Sequence, residues 1–228
     1  MGGFYLVTGA TGGLGKEICK ILSKNNYNLI IHGRSLDKLT SLEKEIKNKN
    51  IFIKKITGDL SKLKTSNLIY NKVRKLNLKC IINNAAIYNN KHFNKIKENE
   101  IISMMNINLI SPILLIQKLI PLLKKNTESF IININSIAGT KGGMYETIYS
   151  TSKFGLRGFA DSLQYETTKN NIRLINFAFG GIKTNMTKKR KDYNKLILPK
   201  DAAQIIFNSI TQPPSLRVTE INVARALY

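Results

Sequence analysis

Acid is scarce in this chain. Its 228 residues hold 14 Asp and Glu against 36 Lys and Arg, a formal net charge of +22. It has two cysteines, two histidines, five prolines and no tryptophan. Cys19 and Cys80 fall in predicted interior elements without metal-ligand spacing, which argues for buried thiols and against a disulfide framework. His32 and His92 have no Cys or carboxylate cluster beside them, so no metal is expected. No apolar run approaches the roughly 18–20 residues of a membrane-spanning helix. The first residues lead straight into a strand, without the basic and apolar regions of a signal peptide. The expectation is a cytoplasmic protein, or one of an equivalent reducing compartment, with no membrane partner.

The surplus of positive charge could serve nucleic acid. The lysines, however, run through every segment alongside abundant Asn and Ile, which reads as a bias of the whole chain rather than a patch. The densest cluster is Lys188-Lys189-Arg190-Lys191. Nucleic acid is therefore not the expected partner, and an anionic cofactor or acyl carrier suits the charge better.

With 43% hydrophobic residues, the chain is long enough for one α/β domain over residues 1–228. Short apolar runs alternate with amphipathic stretches. Strands are predicted at Phe4 to Val7, Leu29 to Ile31, Ile51 to Ile56, Cys80 to Ile82, Phe130 to Ile134, Arg173 to Ala178 and Thr219 to Val223. Helical spacing recurs between them, including a long helix near Glu100 to Leu123 that Pro112 would kink. The pattern implies a doubly wound Rossmann fold, with a mostly parallel seven-stranded sheet flanked by helices on both faces. The polar, basic stretch 180–198 reads as a short, mobile substrate lid.

The first strand ends in Thr8-Gly9-Ala10-Thr11-Gly12-Gly13-Leu14-Gly15. A strand, a glycine turn and a helix together present backbone N–H groups and a positive helix end to a pyrophosphate. Glycines let the backbone approach the ligand. Gly9, Thr11, Gly12, Gly13, Leu14 and Gly15 are thus cofactor-binding candidates. A tight connection with no ligand is the plainer alternative, and the turn's place after the first strand favours the dinucleotide. Strand two ends in His32-Gly33-Arg34-Ser35, with no acid before Arg34 to hold a ribose diol. Arg34 can pair a 2′-phosphate, so NADP(H) is expected over NAD(H); a solvent-facing arginine is the rival reading.

Tyr149 and Lys153 stand four apart, on one face of a predicted helix. Lysine is so common here that chance could produce the pair, but Ser136 closes strand five at the sheet edge where ligands bind. A phenol with a solution pKa near 10 needs help to exchange a proton at neutral pH. A neighbouring ammonium, with the oxidised nicotinamide, would lower that value. Ser136 would hold the substrate oxygen.

These motifs resemble the short-chain dehydrogenase/reductase family over nearly the whole chain. The resemblance implies an NADPH-dependent oxidoreductase interconverting a ketone or aldehyde and an alcohol. Asn83-Asn84-Ala85-Ala86 is similar to its N-N-A-G motif, implying cofactor contacts at Asn83 and Ala85; Asp59 and Leu60 would meet the adenine. Ser136, Tyr149 and Lys153 match its catalytic residues, with Lys153 also reaching the nicotinamide ribose. Asn108 matches its fourth member, an Asn that binds a water linking Lys to solvent, although Asn106 competes for the role. Phe179-Gly180-Gly181-Ile182-Lys183-Thr184 resembles a P-G-x-x-x-T segment, implying nicotinamide contacts from Ile182 and Thr184, with Phe179 replacing proline. Ser136, Tyr149 and Tyr145 are the substrate candidates, with Ile137, Tyr88 and Gly181 as further wall positions. Homodimers or homotetramers are implied through the helices carrying Asn108 and Tyr149. Alternatives are a 3-ketoacyl-(acyl-carrier-protein) reductase, disfavoured by a carboxyl end that lacks glycine, and a non-catalytic NADP-binding sensor.

Overall fold

The structure, a computed structural model, describes residues 2–213 and 215–226. Seven strands are formed: β1 (Phe4–Val7), β2 (Asn28–Gly33), β3 (Ile53–Thr57), β4 (Leu78–Asn83), β5 (Ser129–Ser136), β6 (Ile172–Phe179) and β7 (Glu220–Val223). They make one sheet in the order β3-β2-β1-β4-β5-β6-β7, and every neighbouring pair is parallel. The order reverses between β1 and β4, which opens a crevice at the carboxyl ends of the strands. Each predicted strand is present: β1 has the predicted bounds, β2, β4, β5 and β6 are longer by two or three residues, and β3 and β7 are shorter by one.

Alternation along the strands sends side chains to two cores. Tyr5, Val7, Leu29 and Ile31 face one side, where they meet α1 (Gly13–Lys24), α2 (Leu36–Ile46) and α7 (Pro199–Ile210) through Ile18, Leu39 and Ala203. Leu6, Ile30 and Ile81 face the other, against α3 (Lys64–Val73), α5 (Ser111–Leu123) and α6 (Thr147–Thr167) through Ile69, Leu115 and Leu163. Cys19 and Cys80 are buried in the first core. There burial pushes both thiols well above their usual range.

The long central helix departs from expectation twice. It is divided, as α4 (Glu98–Met105), a π-helical turn (Asn106–Ile110) and α5, in place of a continuous helix kinked at Pro112. In the turn the Ser111 N–H reaches back five residues to the Asn106 carbonyl. Pro112 sits in the first turn of α5 and has no N–H to give the Asn108 carbonyl four residues back, so the α pattern breaks before it. The whole stretch Glu98–Leu123 is also long and apolar enough to cross a membrane by length and composition. That corrects the reading that no such run exists. Its apolar residues Leu115, Ile116, Leu119, Leu122 and Leu123 are buried in the second core, which accounts for the composition.

Candidate active site

Along the carboxyl edge of the sheet lies a cleft of about 1020 Å³. The glycine turn forms one wall. Gly9 has φ +62, and a Cβ there would come 2.9 Å from the Ala85 Cα. A Cβ on Gly15 would stand 2.3 Å from the Gly9 carbonyl oxygen, and one on Gly13 2.8 Å from the Thr184 methyl. Bare backbone is therefore required at these positions. Asn84 locks the turn to the end of β4. Its Nδ2 donates to the carbonyls of Thr8 (2.9 Å) and Gly9 (3.1 Å), while the N–H groups of Asn84 and Ala85 donate to Thr8 Oγ1.

Gly9, Thr11, Gly12, Gly13, Leu14, Gly15, Arg34, Asp59, Leu60, Ala85, Ile182 and Thr184 all line the cleft, as do Ser136, Tyr149 and Lys153. Asn83 does not. It is turned into the sheet, where its Nδ2 donates to Asn133 Oδ1 at 2.9 Å, and Asn84 takes the cleft-lining place. Strand alternation explains the exchange, because Asn83 still belongs to β4. Asp59 accepts from the Ser61 N–H at 2.9 Å, a bond that holds its carboxyl below the usual range.

At the other end, β5 delivers Ser136, whose Oγ accepts from the Ala138 N–H at 3.1 Å. Helix α6 delivers Tyr149 and Lys153, with the Lys153 Nζ 5.7 Å from the phenol ring centre. Lys153 is only 2% exposed. Its Nζ donates to the Ile134 carbonyl at 2.9 Å, and burial pushes its pKa down to about 8. The phenol goes the other way from expectation. Burial raises Tyr149 to about 12, opposed by a hydrogen bond from Ser136 and reinforced by the charge of Glu146. Desolvation of the buried phenolate is the largest of these effects.

Asn108 lies in the π turn and is 1% exposed. Its side chain is held by Ile87 and Ser152: Nδ2 donates to the Ile87 carbonyl and Oδ1 accepts the Ile87 N–H, both at 2.9 Å, and Nδ2 also reaches Ser152 Oγ at 3.2 Å. Asn106 points elsewhere, to the Ser61 carbonyl.

Tyr145 lies outside the cleft lining. Its φ is 65, and its ring meets that of His92 at 4.4 Å with the planes tilted by 55°. The same turn delivers Glu146, which sequence reasoning missed. Tyr88 donates its hydroxyl to Glu146 Oε1 at 2.7 Å and sets its ring edge on the Tyr149 ring at 5.0 Å. The only sequence signal for Glu146 was its place three residues before Tyr149. Ile137, Tyr88 and Gly181 line the cleft as expected.

The segment 180–198 carries hydrogen bonds and ion pairs of its own. Ile182 and Ile197 form a bridge, and Thr187 Oγ1 donates to the Ile182 carbonyl at 2.6 Å. Asp192 takes a bidentate pair from Arg190 and a further bond from Arg225. Phe179, in the place of proline, is buried and stacked on Phe177 at 5.4 Å.

His32 also lines the cleft. It is 2% exposed, and neither ring nitrogen has a hydrogen-bond partner among the described residues. Burial lowers its pKa from 6.5 to about 4. Between those values the unfolded chain binds a proton that the folded chain refuses, so stability falls as the pH drops from 6.5 to 4. Replacing His32 with Phe should remove up to about 3 kcal/mol of that loss. Urea denaturation at pH 7 and pH 4.5 checks this; equal acid sensitivity in both proteins would count against it.

A family model described as short chain dehydrogenase matches residues 4–195. The chain is 34% identical over 184 residues to a 3-oxoacyl-[acyl-carrier-protein] reductase, FabG, of Rickettsia felis, spanning 81% of this chain and 74% of the relative. It is 29% identical to carbonyl reductase family member 4 of Xenopus laevis, over 91% of this chain and 90% of that one. Among solved structures, an alcohol dehydrogenase from Thermococcus sibiricus complexed with 5-hydroxy-NADP superposes with a TM-score of 0.91 at 21% identity, covering 100% and 98% of the two chains. A metagenomic short-chain oxidoreductase in complex with NADP gives 0.86 at 24% identity, covering 99% and 98%.

Proposed function

The chain belongs to the short-chain dehydrogenase family, and we propose that it is an NADPH-dependent reductase of ketones or aldehydes in which Tyr149 is the general acid and base. One observation carries this reading. Ser136 from β5 and Tyr149 and Lys153 from α6 line the same cleft whose far wall is the bare glycine turn. The whole chain is read as one catalytic domain, with 180–198 closing the substrate end.

The residues fit a dinucleotide. Gly9, Gly13 and Gly15 leave the turn open to a pyrophosphate at the start of α1. Arg34 would hold a 2′-phosphate, Asp59 and Leu60 the adenine end, and Ile182 and Thr184 the nicotinamide amide. Two structural neighbours were solved with NADP or a derivative, in keeping with the absence of an acid before Arg34. When bound, NADPH supplies the hydride. A phenol held near 12 stays protonated through the neutral range, so Tyr149 is ready to donate to the carbonyl oxygen. Ser136 positions that oxygen and stabilises its growing charge. Lys153, fixed by Ile134, would orient the ribose, and Asn108 would lead from Lys153 toward solvent. Cytoplasmic homodimers or homotetramers through α4–α5 and α6 complete the reading.

Loss of NADPH absorbance across a panel of carbonyls tests the activity; a panel that leaves NADPH intact would end it. Arg34→Ala should weaken NADPH binding about 10- to 100-fold and leave NADH nearly unchanged, since a charge-assisted pair contributes about 1.5–3 kcal/mol. Calorimetric titration of both cofactors measures the difference, and parallel losses would refute the assignment. A second reading, reduction of a 3-oxoacyl thioester on an acyl carrier protein, is favoured by the Rickettsia relative. Turnover of such a thioester much slower than that of a free ketone would remove it.

A further inference from the structure

The end of β5 and the first half of α6 meet at one buried amide. Asn135 is 4% exposed. Its Oδ1 accepts the Ser136 N–H at 2.9 Å. Its Nδ2 donates to the Lys153 carbonyl at 3.1 Å and to Asn176 Oδ1 at 3.3 Å. Both amide hydrogens and the oxygen are thus engaged inside the protein. Gly139 leaves space for this junction: a Cβ there would come 2.9 Å from the Lys153 carbonyl oxygen and 3.0 Å from Asn135 Oδ1.

We infer that Asn135 is a positioning residue for proton transfer, holding Ser136 and Lys153 in fixed relation through the Ser136 N–H and the Lys153 carbonyl. The inference rests on the reductase reading above. Lys153 is tied at both ends to consecutive residues of β5, its Nζ to the Ile134 carbonyl at 2.9 Å and its own carbonyl to Asn135. Ser136 follows directly in the chain. Tyr149 stands one turn before Lys153 on α6, so a tie at Lys153 also sets where the phenol lies relative to the Ser136 hydroxyl. A misplacement of about 1 Å between such groups can cost about 100-fold in rate.

An amide suits this place. A carboxylate would set acceptors against the Lys153 and Asn176 oxygens, and leucine, of similar shape, would leave the Ser136 N–H without this acceptor. The other ties along this part of α6 do not reach β5. Arg157 Nε pairs with Glu220 of β7 at 2.8 Å, and Ser152 Oγ donates to the Tyr149 carbonyl within the helix at 2.7 Å. Among the described residues, Asn135 supplies the one side-chain bond from β5 to the backbone of α6.

The test is a double-mutant cycle on turnover of a ketone that the native protein reduces with NADPH. Asn135→Ala and Asn135→Leu are each measured alone and combined with Tyr149→Phe. Alone, both should lower kcat about 10- to 100-fold, while the ketone KM and NADPH affinity change by no more than about threefold. Combined with Tyr149→Phe, each should cost less than about threefold more, because no phenol proton transfer is left to misalign. Gly139→Ala strikes the same junction with Asn135 intact, and should also lower kcat in the native background and not in the Phe background. Thermal melting identifies any variant that fails to fold, and the cycle is then read from the others. Equal fold losses in both backgrounds, or near-native turnover in Asn135→Leu, overturn the inference and leave the reductase reading standing. Failure of every ketone to oxidise NADPH, or turnover unmoved by Tyr149→Phe, overturns the reading itself.

Discussion

Replacing Tyr149 with Phe is expected to cut turnover by about 10²- to 10⁴-fold, the range supplied by a positioned general acid. NADPH affinity should change by no more than about twofold. The substitution removes one hydroxyl and keeps the ring that packs edge-on against Tyr88 at 5.0 Å. Ser136 would keep its bond from the Ala138 N–H, and Lys153 would still donate to the Ile134 carbonyl. Nothing in the packing forces the cleft to rearrange, so a loss of rate would be a loss of proton transfer. Lys153→Ala should behave differently. It strips the buried Ile134 carbonyl of its donor and removes a group assigned to the ribose, so both rate and cofactor affinity should fall. Steady-state kinetics with fluorescence titration of NADPH separates the two variants. Near-normal turnover by the Phe variant would remove Tyr149 from the chemistry.

Gly15→Ala is the second large effect. A single methyl there would lie 2.3 Å from the Gly9 carbonyl oxygen and 2.7 Å from Asn84 Nδ2. Both neighbours are anchored, Gly9 by its own turn and Asn84 by two bonds to Thr8 and Gly9 carbonyls. The clash cannot be relieved by rotating a flexible side chain. Overpacking of this kind costs about 1–3 kcal/mol, which in a domain of this size lowers the melting temperature by roughly 2–4 °C per kcal/mol. The displaced turn would also misalign the N–H groups offered to the pyrophosphate, and NADPH affinity should drop by about 100-fold. Thermal melting with and without NADPH reads both effects. A variant that melts like the native protein and is equally stabilised by NADPH would show that the turn tolerates a side chain there.

The glycine spacing, the i, i+4 pair of Tyr149 and Lys153, and Ser136 at a strand end were legible in the chain because each belongs to a local pattern. Glu146 was not, since its approach to Tyr149 depends on the left-handed Tyr145 and on Tyr88 arriving from after β4. The exchange of Asn83 for Asn84 turned on where β4 stops, and strand ends are weakly encoded. Asn108 could be chosen over Asn106 only by resemblance, and the π turn gives the two side chains different partners.

Hydrophobic periodicity and glycine placement, which act over a few residues, were enough to determine a parallel sheet with a ligand turn after its first strand. Tertiary structure alone decided which groups are charged and what they face. Burial sets Tyr149 high, Lys153 low and His32 neutral, and the desolvation behind each shift comes from residues distant in the chain.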